Sequence, residues 1–310
     1  MLKLIQNEWM KLWSKKGTWV MVILIAAMIV GLSGLLRLLN ELNDYSSWTE
    51  SLQQELVQVE EELASPDVTE EKKAELLQRQ EEIGYEIEST MEMSKPKSSE
   101  EVILETSGMM SLVMLFMIIV AAGIVASEFS QGTIKMLLSR PVKRWKILTS
   151  KYVTVLLFGL TLTAITYVAS VVSAYIFYPT AEGNSVLLYG SEIAVTAVFG
   201  KSIYLVLLAF VYVAVMSTLA FMIGSVFRST ALSIGISLFL YFTGSMIVMF
   251  LERFEFAKFI LFAHDLAQYE TGFKMLESNT MPFSIAVLLA YVVVLLVVSY
   301  TTFMKRDITA

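Results

Sequence analysis

The apolar positions of this chain gather into six long blocks: Thr18–Leu36, Ser107–Ala126, Tyr152–Tyr178, Ser202–Phe227, Ala231–Leu251 and Phe283–Met304. A helix needs about 20 mostly apolar residues to cross about 30 Å of hydrocarbon, so each block predicts a membrane span. The third and fourth are long enough to tilt or to extend beyond the bilayer. Only Arg228, Ser229 and Thr230 separate the fourth from the fifth, which predicts a tight helical hairpin. The first block follows Lys11, Lys15 and Lys16, as a signal peptide would. Its apolar run is longer than the usual signal core and no small-x-small cleavage site follows, so it reads as a retained first span. The expected fold class is an all-α polytopic membrane protein with six transmembrane helices.

Between the first two blocks the pattern changes. Leu52, Leu56, Val59 and Leu63 recur at four- and three-residue steps, a helical period. Ser65-Pro66-Asp67 breaks it, and Thr69 is placed as an N-cap with Glu70 and Glu71 in the first turn. Leu76, Leu77, Ile83 and Ile87 are the apolar positions of a second helix. Together these predict an antiparallel coiled-coil hairpin, either a gating or partner-binding element or a solvated spacer. Two other loops are half-apolar. Phe254, Phe256, Phe259, Ile260, Phe262, Leu266 and Tyr269 alternate with charges in an interfacial helical stretch, and residues 186–199 are similar.

Composition agrees with membrane spans. Hydrophobic residues make up 56% of the 310, charged residues 17%, and the mean hydropathy is +0.65, against about a quarter charged in an ordinary soluble domain. The absence of cysteine excludes disulfides, thiolate metal sites and cysteine nucleophiles. Charge placement sets orientation. With six spans the termini share a side, and that side holds thirteen basic residues against Glu8, Glu128 and Asp307. The opposite side's two shorter loops hold Lys201, Arg253, Lys258 and Lys274. The positive-inside rule therefore predicts cytoplasmic N and C termini and an extracellular helical hairpin. Residues 37–105 carry nineteen acidic and six basic residues, a net charge of −13 that agrees with this side.

On this reading the chain divides into an amphipathic N-terminal helix at 1–17 and spans at 18–36, 107–126, 152–178, 202–227, 231–251 and 283–304. The acidic hairpin occupies 37–106, an inner loop 127–151, the aromatic outer segment 252–282 and an inner tail 305–310.

Few residues suggest catalysis. His264 stands beside Asp265, a pairing more often a surface hydrogen bond than a dyad, and one histidine cannot build a histidine-rich metal site. No phosphate-loop motif is present. Basic residues are not interleaved with aromatics on a soluble domain, which makes nucleic acid an unlikely partner. The spans are almost free of ionisable groups, which argues against an ion-coupled carrier. They carry hydroxyls instead: Ser229, Ser233, Ser237, Tyr241 and Ser245 at four-residue spacing, and Thr154, Thr161, Thr163, Thr166, Ser170 and Ser173 in the third block. Hydroxyl and small residues serve close helix packing; lining a substrate path is the alternative, with Ser229, Ser233, Ser237, Tyr241, Thr166 and Ser170 as its candidates.

The most informative segment is the inner loop, ASEFSQGTIKMLLSRPVKRWKILTSKY. Glu128 sits at the membrane edge, Gly132-Thr133 marks a turn that can start a short helix, and Ile134, Leu137 and Leu138 give that helix an apolar face. Pro141 ends it among Lys143, Arg144 and Lys146. A short amphipathic helix flanked by turns and basic residues suits docking into a groove on a partner; an ordinary basic loop that only sets topology is the plain alternative.

This loop resembles that of type-2 permeases of ATP-binding cassette (ABC) transporters, on Glu128, Gly132, Thr133, Leu137, Leu138, Arg140, Pro141 and Arg144. The opening segment LIQNEWMKLWSKKGTW is similar to the same family's, with Leu2, Ile5, Trp9 and Trp13 on one helical face and Lys3, Lys11 and Lys15 largely elsewhere. The resemblance covers most of the chain; the long acidic hairpin departs from it. It implies a permease subunit of a bacterial exporter in the cytoplasmic membrane, paired with a second copy or a sister permease. It further implies a separate cytoplasmic ABC ATPase subunit that hydrolyses ATP, leaving this chain without enzymatic activity or cofactor of its own. The loop residues would be the coupling element. A carrier or channel working without ATP, and a scaffold or sensor acting through the acidic hairpin, are the other function classes kept open.

Overall fold

The computed structural model describes residues 1–42, 45–65, 70–94, 97–133, 142–227, 229–272 and 274–305. Several expectations fall on positions outside the described residues: Thr69 as a cap, Ile134, Leu137, Leu138, Arg140, Pro141 and Arg228.

The protein is mostly helical, and among the described residues six helices are long and apolar enough to cross a membrane. A short helix α1 (Leu2–Trp13) precedes the first span, α2 (Lys16–Leu42). Two polar helices, α3 (Tyr45–Leu63) and α4 (Glu70–Ser94), follow. The second span enters through a short α5 (Ser99–Leu104) and a 3-10 turn, then runs as α6 (Met110–Ser130). The third, fourth and fifth spans are α7 (Arg144–Phe177), α8 (Val198–Val226) and α9 (Thr230–Leu251). A short α10 (Gln268–Thr271) precedes the sixth span, α11 (Met281–Lys305).

The second and fourth spans form the centre of the bundle and are its most buried helices; the first, fifth and sixth lie outermost. Small residues make this centre possible. Ala121, Ala122, Ala126 and Ala220 are buried between the two, and a Cβ on Gly224 would lie 2.2 Å from the Ala122 carbonyl oxygen. Only glycine lets the backbones meet there, the close approach that drives helix association where lipid removes the hydrophobic incentive.

The end of the bundle that holds α1 also holds the end of the sixth span, where Arg144 donates to the Met304 carbonyl at 3.3 Å. This is the proximal end; the opposite one is distal. At the distal end α3 and α4 pack on Leu52, Val59 and Ile83, flanked by Leu56, Leu63, Leu76 and Ile87. Arg79 reaches Glu55 at 2.8 Å and Lys72 reaches Glu62 at 3.4 Å, pairings that run antiparallel. Leu77, expected in the seam, is 48% exposed instead, because Leu76 and Ile83 already fill the inward face.

The all-α expectation needs one amendment. Within the half-apolar stretch before the fourth span, β1 (Ser185–Leu188) and β2 (Ser191–Ala194) form an antiparallel hairpin, with Leu188 opposite Ser191. Tyr189 and Gly190 at its tip both have positive φ, 48° and 77°, the backbone that a two-residue hairpin turn demands. Glycine supplies it freely and tyrosine under strain. The hairpin, α5 and residues 179–182 surround a distal cavity of about 740 Å³ lined by Lys97, Glu101, Glu105 and Tyr189 together with Pro179 and Leu187.

The aromatic segment before the sixth span folds into 3-10 turns at Glu255–Phe259 and Leu261–Ala263. Phe262 lies over Gly244 of the fifth span, where a Cβ would meet its ring at 2.3 Å. His264, expected at the surface, is fully buried, and its Nδ1 meets the Ser284 Oγ at 2.7 Å. Ser284 in turn meets the Tyr269 hydroxyl at 2.6 Å. Burial holds the His264 pKa below the usual imidazole value. Asp265 turns to the Ala267 N–H, 3.0 Å away, so the two neighbours serve separate packing bonds.

Candidate functional site: a buried ion network at the proximal end

The amphipathic pattern of α1 predicts a helix that floats on lipid, but the helix packs on the bundle, with Trp9 and Trp13 of the predicted apolar face half-buried against the core. Leu2 is 83% exposed, whereas Glu8 and Leu12 are buried, with Ile5 half-buried at the same three- and four-residue spacing. Trp13 packs edge-on against Phe158 of the third span at 5.8 Å. The N-terminal helix is thus part of the bundle.

Burying Glu8 requires a cation, and Lys151 of the third span supplies it. The Lys151 Nζ donates to Glu8 Oε2 at 2.7 Å and to Glu128 Oε1 at 3.0 Å. The Lys151 side chain is 1% exposed, with Glu8 and Glu128 at 7% and 4%. Lys11 also donates to Glu128 Oε1 from the half-exposed rim. Two carboxylates and two ammonium groups therefore close a network that joins α1, the end of the second span and the start of the third. Removal of such charges from water is tolerable only with this pairing and these extra hydrogen bonds. Lys15 sits at the rim of the same narrow cleft. Desolvation, and then the positive charges of Lys11 and Lys151, hold its pKa below the usual lysine value.

The network reaches the inner loop through Thr133, whose Oγ1 donates to Glu128 Oε2 at 2.5 Å. Gly132, with φ 71°, ends the second span in a left-handed turn, the common glycine position just past a helix C-terminus. Thr133 therefore folds back onto the helix it follows. Gly132 and Thr133 are exposed and Glu128 is not, so the carboxylate positions the turn from beneath. Ser130 meets Thr230 at 3.0 Å, Thr149 meets Tyr300 at 2.6 Å and Ser299 donates to Ser225 at 2.9 Å. Hydroxyl contacts thus tie the remaining spans to the same end.

Of the sequence-predicted site residues, Glu128, Gly132, Thr133 and Arg144 come together at this end, while Leu137, Leu138, Arg140 and Pro141 lie outside the described residues. The predicted pathway hydroxyls are dispersed. Ser229 caps the fifth span by accepting the Leu232 N–H at 3.3 Å. Ser237 donates to the Ser233 carbonyl at 2.7 Å, and Tyr241 packs on Phe242 at 4.9 Å. Thr166, Ser170 and Ser233 are buried between helices. Sequence reasoning missed Glu8 and Lys151, having counted both only as charges that set topology. A faint signal existed: Glu8, Lys11 and Lys15 share one helical face.

Comparison with known proteins agrees with the membrane architecture. The chain is 35% identical over 314 residues to the uncharacterized protein YhcI of Bacillus subtilis, covering 99% of each chain. It is 31% identical over 198 residues to the uncharacterized membrane protein YdbK of the same organism, covering 62% of this chain and 76% of that one. Residues 73–309, from the acidic hairpin through the sixth span, match the family described as protein of unknown function (DUF2705), and the chain belongs to that family.

Proposed function

We propose that this chain is the membrane-spanning permease subunit of an ATP-driven exporter, built like the type-2 ABC permeases that its inner loop resembles. The carrying observation is the footing of that loop. Glu128, held by Lys151 and Lys11, bonds Thr133 and so fixes the Gly132-Thr133 turn that opens the loop. A loop that is to transmit force needs such a rigid base. On this reading the proximal end faces the cytoplasm of a bacterial cell, in keeping with its thirteen basic residues. Two permease copies, or this chain and a sister permease, frame the path. Separate ABC ATPase subunits close on ATP and push the loop, shifting the spans between two states that bind substrate differently.

The test is co-purification with a cytoplasmic ATPase, followed by Gly132→Val. A branched side chain is strained at φ 71°, so the turn should shift while the spans insert normally. The expected result is basal ATP turnover that substrate no longer stimulates, with transport lost. Unaltered transport by Gly132→Val, or full transport by the chain with no ATPase bound, would sink the proposal. Removal of residues 45–94 separates the sensor reading, which requires the distal hairpin, from the permease reading, which does not.

A further inference from the structure

An apolar groove runs along the outside of the bundle between the third, fourth and sixth spans. Leu156, Val211, Ala214, Ile285, Leu289 and Val292 form its walls, and its volume is about 250 Å³. At its proximal end the Tyr152 hydroxyl meets Thr218 Oγ1 at 2.9 Å; Leu266 of the distal segment reaches its other end. We propose that the groove is a binding site for one acyl chain of a membrane lipid or lipid-like amphiphile.

Three observations identify the occupant. The groove opens sideways: Val211, Ile285 and Leu289 are 40%, 40% and 61% exposed on helices that cross the membrane, so what faces it is hydrocarbon. Its lining offers no free polar group, because its two hydroxyls, Tyr152 and Thr218, bond each other; it therefore selects a tail and not a headgroup. Its shape is narrow. The seven steps from Ile285 to Val292 advance about 10 Å along the helix at 1.5 Å each, and the volume falls short of the roughly 300 Å³ at which pockets for drug-sized molecules begin. A flexible unbranched chain fits such a slot where a ring system does not. Ala214 sets the depth, since a larger side chain there would fill the floor. The inference is independent of the ATPase and holds whatever drives the protein.

The test uses the full chain in vesicles containing phosphatidylglycerol with a photoactivatable diazirine midway along one acyl chain, with labelled sites mapped by mass spectrometry. Labelling at Leu156, Ala214 and Leu289 should exceed, several-fold, that at Leu24 and Phe242, which lie exposed on the first and fifth spans. Ala214→Phe should bring groove labelling down to that background. Val293→Phe, equally on the exposed surface but outside the groove, should leave it unchanged. Ala214→Leu provides the same reading with a smaller volume change if the phenylalanine variant melts early. Uniform labelling over all exposed span residues would reduce the groove to ordinary lipid contact and overturn the proposal. Chain-to-chain crosslinks from a photoreactive residue at position 214 would overturn it in favour of a second copy.

Discussion

Two ends of this molecule use the same chemistry, glutamate paired with a basic side chain, to opposite effect. In the distal hairpin Arg79 bridges Glu55, Glu82 and Glu86 with every partner about 40% exposed or more. Water already solvates such charges, so the pairs adjust register and solubility, and apolar contact among Leu52, Val59 and Ile83 holds the helices together. At the proximal end Glu8, Glu128 and Lys151 have left water almost completely, and each depends on the others. An ion pair is thus a minor ornament or a structural necessity according to its burial alone.

The largest expected effect comes from breaking the buried network on one side. Lys151→Met leaves buried Glu8 without its cation and Glu128 with only the half-exposed Lys11, a loss of about 3–5 kcal/mol. It should appear as a steep drop in melting temperature of the detergent-solubilised protein. Neutralising all three, as Glu8→Gln, Glu128→Gln and Lys151→Met together, should restore much of that loss. If the single variant melts like the unmodified protein, the comparison between the two ends fails.

Next is Ile83→Ala, which opens the core of the distal hairpin. The cost is about 2–5 kcal/mol for a fully buried isoleucine, but it falls on a satellite core separate from the spans. Hydrogen exchange should therefore rise in residues 45–94 while the spans keep their protection.

Asp265 separates burial from pairing. Burial raises its pKa, and the Ala267 N–H offsets this only in part. Folding therefore penalises its ionised form. Asp265→Asn should raise the melting temperature at neutral pH, and the gain should vanish as pH falls below about 3.9, where the unfolded aspartate is itself protonated. An unchanged or lower melting temperature at pH 7 would show the carboxylate to be compensated. The smallest effect is Arg79→Ala, which should leave melting of the spans unaltered; a clear shift would mean that surface pairs matter more here than their exposure implies.

The architecture was readable wherever the signal is local. All six spans declare themselves as uninterrupted apolar runs, and the hairpin helices as a three- and four-residue repeat broken at Ser65-Pro66. Boundaries were less legible. The third helix begins at Arg144, eight residues before its apolar block, because basic residues continue a helix that hydropathy stops counting. The β-hairpin was hidden because Tyr189 is an unusual residue for a turn of positive φ.

The candidate site was half legible. Glu128, Gly132 and Thr133 stood out by spacing, but their partners did not, since Glu8 lies 143 positions from Lys151. A lysine at the end of an apolar block reads the same whether it faces water or two carboxylates. Composition and periodicity by themselves determined that this chain carries six helices long and apolar enough to cross a membrane, because hydrocarbon excludes unpaired backbone and so imposes length and apolarity on each segment. Which charges leave water, what the first helix packs against and where a slot opens between spans were decided only by tertiary packing. Burial is a property of neighbours brought together by the fold, and no single segment carries it.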